Sequence, residues 1–167
     1  MADVSAEAAG VAVIGCGNPV RGDDGIGPYV VRVLAERGLG AGGGVRLLDA
    51  GTDGMAVMHA ARGCRALVLV DASRSGSEPG AVFEVPGAQL ESRAQPSLSL
   101  HDFRWEHALF AGRRMYGDAF PQDVTVLLVE AAHTGYGLEF SPAVAAAARS
   151  VADRVEELVK RRLGACA

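Results

Sequence analysis

The fold is decided by residues 11–25, Val-Ala-Val-Ile-Gly-Cys-Gly-Asn-Pro-Val-Arg-Gly-Asp-Asp-Gly, where an apolar run leads into a glycine-rich turn that ends in two carboxylates. The run at 11–14 suits a strand covered on both faces, as in a parallel sheet. Pro28 is tolerated only in the first turn of a helix. Apolar side chains recur at helical spacing around it, at Ile26, Val30, Val33 and Leu34. The pattern predicts a strand, a turn and a helix that starts near Gly25.

Asp23 and Asp24 stand at the start of that predicted helix. The helix dipole and the free N–H groups favour an ionised carboxylate there, which suits a metal ligand better than a proton donor. An aspartate in this position also commonly caps the helix, so both interpretations stay open for Asp24. Adjacent residues leave a turn in different directions, and we therefore assign Asp23 to loop structure and helix capping.

A glycine-rich turn after a first strand often cradles a phosphate or dinucleotide in open α/β folds. Here Gly15-x-Gly17 is followed by Gly22, which is not the nucleotide spacing, and no P-loop lysine follows. The two carboxylates would also repel a phosphate. A nucleotide-binding oxidoreductase is therefore the disfavoured alternative, and no nucleotide cofactor is expected.

Length and composition describe a single α/β domain, predicted over residues 11–164 behind a flexible tail at 1–10, in a chain of 167 residues. A net charge of −4 without a basic stripe predicts neither nucleic acid nor membrane as a partner. The three cysteines form no C-x-x-C pair, and the start lacks a signal-peptide pattern. These features favour the reducing cytoplasm.

Five strand candidates alternate with helical stretches, which predicts a three-layer α/β/α architecture around a mostly parallel twisted sheet. The candidates are residues 11–16, 45–49, 66–71, 81–85 and 124–130. Residues 38–44 predict a flexible loop, and residues 86–99 predict a polar connection that is a candidate mobile flap.

Two further helices follow from apolar spacing. One has its stripe at Trp105, Ala108, Leu109, Gly112, Met115 and Tyr116. Its first turn is predicted to carry His101, four residues before Trp105 and on the same inward face. The other is a scaffold helix opened by Ser141 as cap and Pro142, with its buried stripe at Val144, Ala148, Val151, Val155 and Leu158.

Ligands of open parallel sheets collect outside the carboxyl ends of the strands. The polar residues predicted at that edge are Asp24, Asp49, Asp53, Asp71, Glu130 and His133. Asp71 stands out because the buried run at 67–70 delivers it where the strand emerges, although an aspartate here can also cap a turn. His101 is equally open to interpretation as a packed, hydrogen-bonded imidazole.

The sequence resembles the hydrogenase maturation proteases, the endopeptidases that trim the carboxy terminus of nickel-iron hydrogenase large subunits. The motifs that carry the resemblance are Gly17-Asn18-x-Val20-x-x-Asp23-Asp24-Gly25, residues 49–55, residues 67–72, Ser99-Leu100-His101, and Gly137-Leu138 with Ser141-Pro142. They follow one another in order along nearly the whole chain. Val20 stands where the family usually has leucine, a departure that concerns packing.

The resemblance implies that Asp24, Asp71 and His101 bind metal and carry catalysis, and that the substrate is a large-subunit precursor already loaded with nickel. Two carboxylates and one imidazole are an incomplete ligand set suited to borderline divalent metals. No resident metal is therefore needed, since the substrate can supply the ion. Alternatively, Asp24 and Asp71 share a proton and activate water as in an acid protease. A non-catalytic metal-binding assembly factor is the remaining alternative.

Overall fold

The computed structural model describes residues 10–91 and 103–165, which form a five-stranded sheet with helices on both faces. The strands are β1 (Val11–Cys16), β2 (Val45–Gly51), β3 (Ala66–Ser73), β4 (Val82–Pro86) and β5 (Asp123–Glu130). The helices are α1 (Ile26–Glu36), α2 (Gly54–Ala61), α3 (Gly87–Glu91), α4 (Trp105–Tyr116) and α5 (Pro142–Gly164). Short 3₁₀ turns occupy Gly22–Gly25 and Gly117–Ala119.

The strand order is β2-β1-β3-β5-β4, and only β4 runs antiparallel to its neighbour. Every residue of β1 is buried, as are Ala66–Asp71 of β3, because the helices cover both faces of the central strands. The edge strand β4 is short and mostly exposed. The predicted three-layer, mostly parallel architecture is confirmed.

Two apolar cores lie on opposite faces of the sheet. One packs α1 and α5 against side chains such as Val13 and Val68, and the other packs α2 and α4 against Ile14 and Leu69. Alternate residues of each strand therefore serve different cores. The predicted stripe of the last helix is buried, and Ser141 caps it by accepting a hydrogen bond from the Val144 N–H at 3.4 Å.

Gly15 of β1 and Gly27 of α1 allow the helix to approach the strand backbone to backbone. A Cβ atom on Gly15 would overlap the carbonyl group of Gly27, and one on Gly27 would overlap the carbonyl oxygen of Cys16. This close approach holds the start of α1, and with it Asp24, against the carboxyl end of β1.

Two local predictions need correction. Helix α4 begins at Trp105, later than predicted; Arg104 before it is extended and donates its backbone N–H to His107 Nδ1 at 3.1 Å. The predicted loop at 86–99 begins instead with the last residue of β4 and the short helix α3. His101, the rest of that connection and residues 1–9 of the predicted tail lie outside the described residues.

None of the helices in the described part of the chain combines the length and apolar character that a membrane span requires.

Candidate active site

A cleft of about 740 Å³ lies at the carboxyl ends of the first three strands. The chain passes from β1 to β2 on one side and then returns to β3 on the other, so this is the point where the strand order switches direction. Side chains from five connections and from the elements beside them meet there, among them Asp24, Thr52, Asp53, Asp71, Arg104 and Trp105. Open α/β sheets bind their ligands at such a switch point.

Asp24 is held at the cleft by a tightly curled turn. Its Oδ2 atom accepts a hydrogen bond from the backbone N–H of Asn18 at 2.8 Å. Gly17 has a positive φ of 125°, and a Cβ atom there would overlap the carbonyl oxygen of Asp24. Only glycine fits at that position, which explains the glycine next to the strand end.

Asp71 lies near the end of β3 and is only 4% exposed. Its Oδ1 accepts the N–H of Ala72 at 2.8 Å, and its Oδ2 accepts the indole N–H of Trp105 at 2.7 Å. The guanidinium of Arg104 approaches Oδ2 at 3.8 Å. These contacts fix the carboxylate plane from two elements, β3 and α4.

Burial is the main reason that the pKa of Asp71 is raised to about 6. The hydrogen bonds from Trp105 and Ala72 oppose the rise, and the negative charge of Asp24 adds to it. Asp24 and Asp71 therefore line one cleft and are close enough to interact electrostatically.

The third predicted ligand, His101, lies outside the described residues. Within residues 10–91 and 103–165, no three His, Cys, Asp or Glu side chains are grouped so that they could hold a metal ion. The convergence of Asp24, Asp71 and His101 on one ion therefore stays a prediction.

Asp23 is fully buried and is not one of the residues that line the cleft. It accepts hydrogen bonds from the N–H groups of Ala132, His133 and Ser141 and from the Ser141 hydroxyl, at 2.7 to 3.3 Å. Burial acts to raise the pKa of Asp23, but these donors, with Ser141 foremost, hold it below its usual range. The predicted role of Asp23 in loop structure is confirmed. The predicted capping of α1 is wrong, because the Asp23 carboxylate instead links the loop after β5 to the start of α5.

The other polar residues predicted at this edge have structural partners. Asp53 lines the cleft and caps α2 by accepting the N–H groups of Met55 and Ala56 at 2.9 and 3.2 Å. Asp49 accepts the N–H of Gly51 at 2.9 Å. Glu130 is buried and hydrogen-bonded to the chain after β3.

The structure adds residues that sequence reasoning missed. The apolar spacing predicts Trp105 as a core residue, and it is buried, but its indole N–H also donates a hydrogen bond to Asp71. A buried indole N–H generally needs a hydrogen-bond acceptor, and this is the feature by which the sequence could have indicated the contact with Asp71. Arg21, Arg74 and Arg104 also line the cleft, and no periodicity or motif distinguishes arginines in such turns from ordinary surface residues.

The sequence matches the family model HycI, hydrogenase maturation protease, over residues 28–158. The chain belongs to the hydrogenase maturation protease family. This hydrogenase maturation protease carries four of its five predicted family motifs within the matched range, and the motif with Asp24 lies just before it.

Solved structures share the fold of this hydrogenase maturation protease. The maturating endopeptidase HybD from E. coli has a TM-score of 0.76 at 22% identity, covering 90% of this chain and 92% of that one. The [NiFe] hydrogenase maturation protease HybD from Thermococcus kodakarensis has a TM-score of 0.71 at 23% identity, covering 89% of this chain and 98% of that one. A hydrogenase 2 maturation peptidase from a Thaumarchaeota archaeon has a TM-score of 0.66 at 26% identity, covering 90% of this chain and 97% of that one. A search of curated proteins gives no match.

Family membership makes the chain a hydrogenase maturation endopeptidase. This membership supports a peptidase and not the nucleotide-binding oxidoreductase.

Proposed function

We propose that this endopeptidase removes the carboxy-terminal extension of a nickel-iron hydrogenase large-subunit precursor after nickel has been inserted. The observation that carries the proposal is the pair of carboxylates, Asp24 and Asp71, on one open cleft at the switch point of the sheet. Cleavage in that cleft would bring the precursor's metal centre and its extension to the same pair of side chains.

The proposed role of Asp24, Asp71 and His101 is to complete the coordination of an ion that the precursor already holds. Two carboxylate oxygens and one imidazole bind a free divalent ion loosely, whereas they can add to an ion already seated in thiolates. Nickel is then part of the substrate and serves as the signal for cleavage. The hydrogen bonds from Ala72 and Trp105 favour this role, because they orient Asp71 before the substrate arrives.

A carboxylate pair that activates water is the alternative mechanism for the same reaction. A pKa of about 6 for Asp71, beside a second carboxylate, suits a site that shares one proton. The two mechanisms differ in their need for the ion, since a proton-sharing pair would also cut a precursor without metal.

Incubation of nickel-loaded and metal-free precursor with a catalytic amount of the protein tests the proposal, with intact mass as the readout. We expect the loaded precursor to lose its extension and the metal-free precursor to keep it. Treating the enzyme alone with a chelator, which is then removed, should change nothing. Cleavage of metal-free precursor after zinc is restored to a stripped enzyme would contradict substrate-borne recognition, and binding without any shortening would indicate an assembly factor.

A further inference from the structure

Three apolar side chains are exposed beside the cleft on two loops. Val20 is 46% exposed, Tyr136 85% and Leu138 78%. Among the described residues, Tyr136 and Leu138 are the two most exposed large hydrophobic side chains. We call Val20, Arg21, Tyr136 and Leu138 the rim patch. Exposed apolar side chains grouped in this way commonly mark a site where another molecule binds.

The two loops of the rim patch are tied together by their backbones. Gly22 donates its N–H to the carbonyl of Gly137 at 2.8 Å, and Gly137 donates to the carbonyl of Val20 at 3.0 Å. Beneath them, buried Asp23 binds the N–H groups of residues 132, 133 and 141. The exposed side chains therefore stand on a preorganised support, which lowers the entropy cost of binding a partner.

The rim patch is continuous with the cleft through Arg21. Its guanidinium carbon lies 4.6 Å from the ring centroid of Tyr136, and the residue itself lines the cleft. Arg21 also donates to the carbonyl of Thr134 at 3.4 Å, and Thr134 is another lining residue. Tyrosine and arginine side chains are the types that contribute most to binding energy at protein interfaces.

We infer that the rim patch docks the folded body of the hydrogenase large-subunit precursor while the extension lies in the cleft. This inference rests on the proposed function. A peptide confined to the cleft would leave Tyr136 and Leu138 in solvent. A partner that covers these two side chains therefore has to extend beyond the cleft. A second copy of this chain on the same surface would cover the mouth of the cleft, which the substrate needs open.

Binding of nickel-loaded precursor provides the first test, measured in the Asp24→Asn background so that cleavage does not consume the ligand. Adding Tyr136→Ser and Leu138→Ser should raise the dissociation constant at least tenfold. Adding Met115→Ser, which alters a 64% exposed side chain in the last turn of α4, should leave it unchanged. Unfolding curves verify that all the variants remain folded.

The cleavage reaction provides the second test, with Asp24 intact. The double variant should raise KM by a similar factor and leave kcat unchanged, because the patch contacts the body of the substrate and not the scissile bond. Equal dissociation constants for the double variant and its parent would overturn the inference, as would a change in the oligomeric state of the enzyme alone with an unchanged KM. Tight binding through the patch without cleavage would overturn the proposed function and leave the docking surface standing.

Discussion

Asp23 and Asp24 are neighbours in the sequence, but their surroundings give them different tasks. Asp23 is buried and surrounded by donors from the loop after β5 and the start of α5. Asp24 is half-buried on the cleft and receives one N–H from Asn18. The first carboxylate stabilises the loops on which the second one depends.

Asp23→Asn should destabilise the protein by about 2 kcal/mol, because an amide group would turn its own N–H atoms toward donors from Ala132 and Ser141. Asp24→Asn should cost less than about 1 kcal/mol, since its side chain keeps an acceptor oxygen in a partly solvated place. Denaturant unfolding measures both values. A larger loss for Asp24→Asn than for Asp23→Asn would contradict these assignments.

Trp105 is predicted to act by holding Asp71 in place through its indole N–H. Trp105→Phe keeps an aromatic ring in the core but removes the 2.7 Å hydrogen bond to Asp71. A hydrogen bond to a charged group contributes about 1.5 to 3 kcal/mol, so precursor processing should slow by roughly tenfold or more. Tyr116→Phe, which removes a 2.9 Å bond to His59, is the control. Equal slowing by both variants would refute a positioning role for Trp105.

The residues of the candidate site differ in how well the sequence predicts them. Asp71 is predictable because a run of buried residues delivers it at a strand end, and Asp24 because it closes a glycine turn. Trp105 follows the apolar spacing of α4, and periodicity describes which face is buried without describing what a ring nitrogen binds.

At the scale of elements, Glu130 fastens the end of β5 to the chain that follows β3. Its carboxylate accepts the N–H groups of Ser75 and Gly76 at 2.9 and 3.0 Å and the hydroxyls of Ser73 and Ser75 at 2.8 and 2.9 Å. These bonds, with the Ser75 N–H contributing most and burial opposing them, lower the pKa of Glu130 to about 2. The ionised form thus stabilises the folded protein.

Because the folded pKa of Glu130 lies below the ordinary value of 4.5, its contribution is complete above about pH 4.5 and is lost as the pH falls toward 2. Glu130→Gln should therefore destabilise the protein most at pH 7, and the difference from wild type should shrink below pH 4.5. Unfolding free energies from pH 7 to 3 test this, with exposed Glu139→Gln as control. A difference independent of pH would show that the ionised carboxylate is not what stabilises these loops.

Strands and long helices were predictable where apolar spacing is continuous, and their ends were not. The spacing allows α4 to reach back to His101, but the Arg104 N–H binds the His107 ring and the helix starts at Trp105. Helix α3 has a single large apolar side chain, Leu90, in its five residues, which is too few to give a period.

At the scale of the whole molecule, the sheet order determines what the enzyme can present to a substrate. Strands β1 and β3 lie side by side although β2 separates them in the sequence, and this brings Asp24 and Asp71 to one cleft. The net charge of −4 does not describe the cleft itself, where three arginines stand beside the carboxylates of Asp24, Asp53, Asp71 and Glu106. The negative total therefore says little about the mixed charges inside the cleft.

The intact mass of the hydrogenase large subunit, isolated from cells that naturally produce this protein, tests the central claim most directly. Cells with the wild-type protein or with exposed Asp118→Asn should contain the shortened subunit. Cells without the protein, or with Asp24→Asn or Asp71→Asn, should contain the subunit with its extension. A shortened subunit in cells that lack the protein, or in cells that carry either cleft variant, would contradict the account.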